Sequence, residues 1–156
     1  LPRSNLTFQV DFLIWKKDHW AALAVEQKNQ NGAKKILEIK EDDITLKAVW
    51  ENETREYKKS AKNLFLQCLG ESYLGKAFCI ANGFEKVVIP VAVIDYDIKV
   101  SNTDVNWAYF NGVFFTKVDY FQKFFKDYLN DSEWIGNLVR ENPGLAYDNG
   151  PGFTKM

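Results

Sequence analysis

Two acids and a lysine stand out near the start of the chain: Asp11, Glu26 and Lys28. They lie in two apolar runs, 6–15 and 20–28, whose lengths and charged connection predict a β-hairpin. A turn centred between residues 18 and 19 places Asp11 opposite Glu26, with Lys28 on the same face. Facing carboxylates repel, and Mg²⁺ or Mn²⁺, which prefer oxygen ligands, would neutralise them. The pattern therefore predicts either a metal site or a structural ion-pair cluster at a sheet end.

The elements that must position these residues can be predicted from apolar spacing. Alternation over 35–40 and 44–50 predicts two further strands. Apolar residues three and four apart predict a helix over 53–69. The β-branched run 86–95 predicts a strand covered on both faces, with Pro90 beside a bulge or near a sheet edge.

The second half of the chain continues the same mixture. We predict a strand over 108–116, helices over 118–129 and 133–141, and an irregular tail over 142–156. Strands and helices in this order predict an α/β fold, with a mixed central β-sheet flanked by helices. A length of 156 residues favours one domain, 1–156.

Composition limits the function classes. The net charge of −1 argues against a protein that holds nucleic acid by overall charge alone. Two cysteines, Cys68 and Cys79, form no disulfide framework or zinc pattern, which favours a reducing, cytoplasmic location. No apolar run is long enough to span a membrane, and no secretory signal is present. The start at Leu1, just before a strand, is typical of a processed product or an excised piece without an N-terminal helix.

The hairpin residues resemble a known family. Asp11 followed by Glu26-Gln27-Lys28 is similar to the D…ExK signature of the PD-(D/E)XK nuclease superfamily. The run E-Q-K-N-Q-N-G, 26–32, looks like the E-x-K-N-x-x-G of its nuclease-related domain (NERD) branch, and the likeness extends over about residues 6–130. The resemblance implies a restriction-endonuclease-like fold and metal-dependent hydrolysis of phosphodiester bonds, in DNA rather than RNA.

The resemblance also implies roles for individual residues. Asp11 and Glu26 would hold Mg²⁺ or Mn²⁺ together with the backbone carbonyl of Gln27, and the metal would activate a water. Lys28 would orient that water and stabilise negative charge in the transition state.

Polar residues beyond the signature are candidates to contact the nucleic acid. Lysines that could follow a phosphate backbone are Lys34, Lys35, Lys58 and Lys62, although surface lysines are more often simply solvated. Gln67 joins them because, in the family, the helix after the hairpin often contributes a polar residue. We expect His19, the single histidine, to be solvated at the tip of the turn.

A second interpretation is a binding or structural module that keeps the nuclease fold without chemistry. Gln9 and Val10 stand where the NERD branch commonly has an acid, and no helix precedes the first predicted strand. The two interpretations differ on metal binding. Either one is compatible with a homodimer or with a place in a larger chain.

Overall fold

A computed structural model describes residues 11–28, 33–50, 56–130, 133–141, 144–150 and 153–155. Several predictions from sequence fall outside these ranges. They concern the strand residues 6–10, the E-x-K-N-x-x-G residues 29–32, and the helix cap at 131–132.

The described residues form twelve strands and three helices. The first five strands are β1 Phe12–Ile14, β2 Ala21–Lys28, β3 Ala33–Lys40, β4 Asp43–Trp50 and β5 Glu56–Ser60. They are followed by helix α1 Lys62–Ala81 and strands β6 Val87–Ile94, β7 Asp97–Val100, β8 Thr103–Val105, β9 Trp107–Phe110 and β10 Val113–Lys117. The last elements are α2 Phe121–Asn130, α3 Glu133–Arg140, β11 Leu145–Asp148 and β12 Phe153–Lys155. None of these three helices is long and apolar enough to cross a bilayer.

The strands form two mixed sheets, so the α/β class is confirmed. The larger sheet has the order β1-β2-β6-β10-β9-β11-β12, with β2, β6 and β10 parallel at its centre. The smaller sheet has the order β5-β4-β3-β7-β8, in which β3 and β7 are parallel. One central sheet was predicted, and the second sheet is a difference from that prediction.

Apolar layers cover both faces of the larger sheet. On one face, Phe124 and Tyr128 of α2 and Ile135 of α3 pack with Val91 of β6 in one buried cluster. On the other face, α1 and the smaller sheet share a second buried cluster, which includes Ala92 of β6. Neighbouring residues of β6 thus enter different cores, which explains why the run lacks a polar face.

The predicted helix over 53–69 is wrong in its first part. Residues Glu56–Ser60 form an edge strand antiparallel to β4, and the helix begins at Lys62. The spacing between Tyr57 and Ala61 suggested a helical turn, but pairing with the free edge of β4 satisfies the backbone instead. The helix also runs to Ala81, well beyond its predicted end.

Two other predictions, for residues 108–116 and for the tail, are also wrong. Residues 108–116 form the β9–β10 hairpin, not one strand, because Asn111-Gly112 adopts φ values of 46° and 104°. These positive values suit the tight turn that Asn-Gly favours. The tail predicted to be irregular contains β11, which pairs with β9, and β12.

Pro90 lies in the sheet interior rather than near an edge. It sits opposite Ala24 in an unbroken parallel register between β2 and β6. Val87 donates its N–H to Trp20 beside β2, so the even positions of β6 face β10. Pro90 would therefore direct a backbone N–H toward β10, but the pairing of β6 with β10 begins only at the next residue, Val91. The absence of an N–H at Pro90 thus removes no hydrogen bond from that pairing.

Candidate active site

The hairpin has the predicted register. Phe12 pairs with Val25 and Ile14 pairs with Leu23, so the same pairing extended by one residue sets Asp11 opposite Glu26. The connection is longer than the predicted two-residue turn, because β1 ends at Ile14 and β2 begins at Ala21. The register holds because the two faces of β2 are buried against different elements, one against the α2 and α3 cluster and the other against α1. A slip of one residue would turn every β2 side chain to the opposite face.

A buried lysine, Lys86, holds the hairpin connection in place. Its Nζ donates to the carbonyl oxygens of Lys16 at 2.9 Å and Lys17 at 3.3 Å, and also to the carbonyl of His19. His19 is only partly exposed and its ring lies edge-on to Tyr128 at 4.8 Å. The prediction of a solvated histidine is therefore wrong, because α2 packs against the connection.

Asp11 binds the neighbouring strand through its side chain. Its exposed carboxylate accepts a hydrogen bond from the backbone N–H of Gln27, Oδ2 to N, at 3.0 Å. The Gln27 side chain is exposed and alternates with its buried neighbour Glu26 along β2. Asp11 thus lies at the same end of the hairpin as the other signature residues.

Glu26 is the polar centre of the site. Glu26 is only 6% exposed, and its Oε1 lies 3.0 Å from Nζ of Lys28. Nε2 of Gln67 approaches the same oxygen at 3.5 Å. The other oxygen, Oε2, is buried without a hydrogen-bond partner.

Helix α1 reaches this site because a glycine lets it lie close to the sheet. A Cβ on Gly75 would stand 3.0 Å from Val88 Cγ1 and 3.3 Å from Leu13 Cδ1. This close approach aims the inner face of α1 at the ends of β2 and β6. Gln67 and Glu71, one helical turn apart, project from that face.

Glu71 is a site residue that sequence reasoning missed. It is 1% exposed, and its Oε1 has no hydrogen-bond partner. Burial raises the pKa of Glu71 to about 8, reinforced by the hydrogen bond and the charge of Glu26, while Lys28 and Gln67 act in the opposite direction. The available signal was that Glu71 is the single charged residue in the stretch 63–75.

The remaining polar groups of the cluster are fixed in their protonated forms. Burial lowers the pKa of Lys28, but the hydrogen bond and charge of Glu26, with Glu71 and Cys68, outweigh it and leave the pKa raised. Burial raises the pKa of the Cys68 thiol to about 12, and the two glutamates add to this effect. Lys28 therefore stays cationic at neutral pH, and Cys68 is unsuited to act as a nucleophile.

The donors present fit a hard divalent cation. Glu26 and Glu71 each have a buried oxygen without a hydrogen-bond partner, and oxygen atoms are the ligands that Mg²⁺ and Mn²⁺ prefer. Among the described residues, however, no group of three or more His, Cys, Asp or Glu side chains converges closely enough to hold a metal. Glu26 and Glu71 meet, whereas Asp11 is turned toward the backbone of Gln27.

The candidate nucleic-acid contacts are spread over different elements. Lys62 is exposed at the start of α1, and Lys58 lies on β5, not on a helix, with Nζ 3.5 Å from Glu38 Oε2. Lys34 on β3 pairs with Asp97 at 3.8 Å, and Lys35 lies over the Tyr96 ring at 5.3 Å. Only Gln67 joins the Glu26 cluster directly.

Lys34 and Lys35 border a cleft of about 520 Å³ beside the cluster. The cleft lies at the carboxyl ends of β6 and β10, where Lys117 pairs with Asp97 at 3.5 Å. It adjoins the signature because the N–H of Asp95 donates to the carbonyl of Lys28 at 3.1 Å. Asp95 and Asp97 line the wall of this cleft.

Comparison of the chain with protein-family models, with curated proteins and with solved structures finds no significant match.

Proposed function

We propose that the protein is a Mg²⁺- or Mn²⁺-dependent nuclease that hydrolyses phosphodiester bonds, with DNA as the substrate. The observation that carries this proposal is the arrangement around Glu26. In the hairpin register Asp11 falls opposite Glu26, and Lys28, Gln67 and Glu71 approach it from the same side. The two free cysteines fit a reducing cytoplasm as the place of action.

The order of elements supports a restriction-endonuclease-like version of the α/β fold. The signature hairpin β1–β2 is followed by α1, which leads to β6, and β6 pairs in parallel with β2. A helix and a hydrophobic strand are the elements that the family resemblance predicts after the signature. Three strands of the smaller sheet, β3, β4 and β5, lie in the chain between β2 and α1, and its other two strands, β7 and β8, follow β6.

In this proposal the oxygen donors of the site bind the metal, and Lys28 supplies a positive charge. Asp11, Glu26 and the Gln27 carbonyl would hold the metal, with Glu71 as a further oxygen donor supplied by α1. The metal, when bound, polarises the phosphate and lowers the pKa of an attacking water. Gln67 keeps Glu26 oriented through its amide at 3.5 Å.

Lys28 acts as a charged group and not as a base. Its raised pKa keeps the ammonium protonated at neutral pH, so it cannot accept a proton from water. It is held 3.0 Å from Glu26, where it can stabilise negative charge that develops on the phosphate. A neutral side chain at this position cannot replace that interaction.

The test is plasmid nicking in a titration of Mg²⁺ and Mn²⁺ with wild type, Asp11→Asn and Lys28→Ala. We expect wild type to nick DNA and each variant to lose about a hundredfold or more in rate. Lys126→Ala is the matched control, because that lysine is exposed on α2, which packs on the opposite face of the larger sheet from α1. Circular dichroism checks that all variants fold, and equal nicking by all four proteins would sink the proposal.

The alternative is a nuclease-fold module that binds without chemistry. One observation favours it, namely that the Asp11 carboxylate is already hydrogen-bonded to the Gln27 N–H instead of converging with the glutamates. Absence of nicking by every protein, together with retained DNA binding, would support this alternative.

A further inference from the structure

The outer face of α1 carries large apolar side chains that nothing in the described part of the chain covers. The exposed fractions are 49% for Leu66, 73% for Tyr73, 45% for Leu74, 51% for Phe78 and 66% for Ile80. Surface helices normally pair one apolar stripe with a polar face. Helix α1 instead turns large apolar side chains outward, although its inner face, with Cys68 and Cys79, is already buried against the sheets.

Three of these residues, Leu66, Tyr73 and Ile80, belong to a regular spacing along the helix. Leu66, Gly70, Tyr73, Ala77 and Ile80 alternate at four and three residues, and we call them the outer stripe. This spacing keeps all five on one side of the helix, as in a seam between two helices. Large and small side chains alternate along the outer stripe, and it contains no charged residue.

The exposed apolar area is large enough to matter. From the exposed fractions and the sizes of its side chains, the outer stripe presents roughly 400 Å² of apolar surface, most of it from Leu66, Tyr73 and Ile80. Two copies of this surface would bury about 800 Å² together, which is the size of a weak, transient protein interface. A second copy of the same chain therefore supplies enough area for a weak dimer.

We propose that α1 packs antiparallel against α1 of a second copy, through the outer stripe, to form a two-fold symmetric dimer. In this arrangement Tyr73 of one copy lies against Gly70 of the other, and Leu66 lies against Ala77. Tyr73 and Leu66 each meet a small residue, so the two surfaces interdigitate there, and Ile80 falls beside Asn63 near each end of the seam. The contact is self-complementary, as a two-fold interface requires.

Charge also favours the antiparallel direction over the parallel one. The last turn of α1 contains no basic residue of its own, so its negative dipole end has no local cation. Antiparallel packing brings the exposed Lys62 of each copy toward that end of its partner. Parallel packing would instead set Tyr73 against Tyr73 and Lys62 against Lys62.

The first test measures molar mass by sedimentation velocity and light scattering over a wide range of chain concentration. We expect wild type to approach twice the 18.1 kDa mass of the chain as the concentration rises. Tyr73→Glu should be monomeric, because two carboxylates would be buried within the seam. Tyr57→Glu is the matched control, since Tyr57 is 45% exposed on β5 and lies outside the outer stripe.

Ala77→Glu is a second variant that guards against a folding defect at Tyr73. It substitutes an exposed position of α1 and should also give a monomer with an unchanged circular dichroism spectrum. A wild type that stays monomeric at every concentration overturns the proposal. So does a dimer that persists in both variants.

The second test determines the direction of packing by disulfide formation. Chains with Leu66→Cys and chains with Ala77→Cys are mixed and oxidised, and we expect mixed disulfide dimers to dominate. Wild type is the control, because Cys68 and Cys79 are both buried. Disulfides that form only between identical variants would overturn the antiparallel arrangement.

Discussion

The carboxyl groups of Glu26 and Glu71 lie against each other beneath α1, one supplied by a strand and the other by a helix. Both are nearly fully buried, and each has one oxygen without a hydrogen-bond partner. Lys28 can neutralise only one of the two charges, and burial together with contact with Glu26 raises the pKa of Glu71 to about 8, so Glu71 is protonated at neutral pH. The pair thus binds a proton in a position where a divalent cation could take its place.

The pH dependence of stability should reveal this proton. The pKa of Glu71 is about 8 in the folded protein and about 4.5 when the group is unperturbed, so the folded chain binds the extra proton between these values. The free energy of unfolding should therefore fall as pH rises from about 4.5 to about 8, on the order of 1 kcal/mol per pH unit. Urea unfolding at a series of pH values measures this slope.

Glu71→Gln should flatten the slope in this window, because glutamine keeps the shape of the protonated acid and does not titrate. Glu85→Gln is the control, since Glu85 is an exposed acid just before β6, away from the cluster. A slope in Glu71→Gln equal to that of wild type would contradict the assignment of the proton to Glu71.

Mn²⁺ should raise the melting temperature of the protein. A ligand that binds only the folded state stabilises it by RT ln(1 + [L]/Kd), which is about 2.7 kcal/mol when the metal is present at a hundred times its Kd. The shift should be larger at pH 8 than at pH 5, because the metal competes with the proton on Glu71. Differential scanning fluorimetry over a metal titration provides the measurement.

Glu26→Gln should lose this metal response, since the amide removes the central carboxylate of the cluster. Glu38→Gln is a suitable comparison, because Glu38 is an acid on β3 that pairs with Lys58 away from the cluster. An equal response to Mn²⁺ in all three proteins would place the metal elsewhere.

Local patterns were sufficient to predict the signature hairpin. Its register depends on alternation and on a turn centre, both of which can be seen in the sequence, and the pairing of Phe12 with Val25 confirms it. The site residue Glu71 could not be obtained in this way. Its approach to Glu26 depends on the rotation of α1, which is set by the contact of Gly75 with Val88 and Leu13 across long sequence distances.

Two other elements, β5 and the β9–β10 hairpin, differ from their predictions for different reasons. The strand at Glu56–Ser60 exists because β4 offers a free edge, and no window of sequence contains that edge. The β9–β10 hairpin, in contrast, carried a strong local signal in Asn111-Gly112. Its prediction as one strand gave too much weight to the apolar run around the turn.

Lys86→Met should destabilise the protein by about 2 kcal/mol, because it leaves the hairpin connection without its hydrogen-bond donor. Lys86 is 7% exposed and binds the carbonyls of Lys16, Lys17 and His19, so methionine can fill the space but cannot satisfy these oxygens. Urea unfolding gives the free energy, and limited proteolysis at the lysines of the connection should become faster. Lys126→Met is the control, since Lys126 is exposed on α2, and we expect it to change stability little. Equal stability and equal proteolysis of the two variants would show that Lys86 does not hold the connection that sets the register of Asp11 and Glu26.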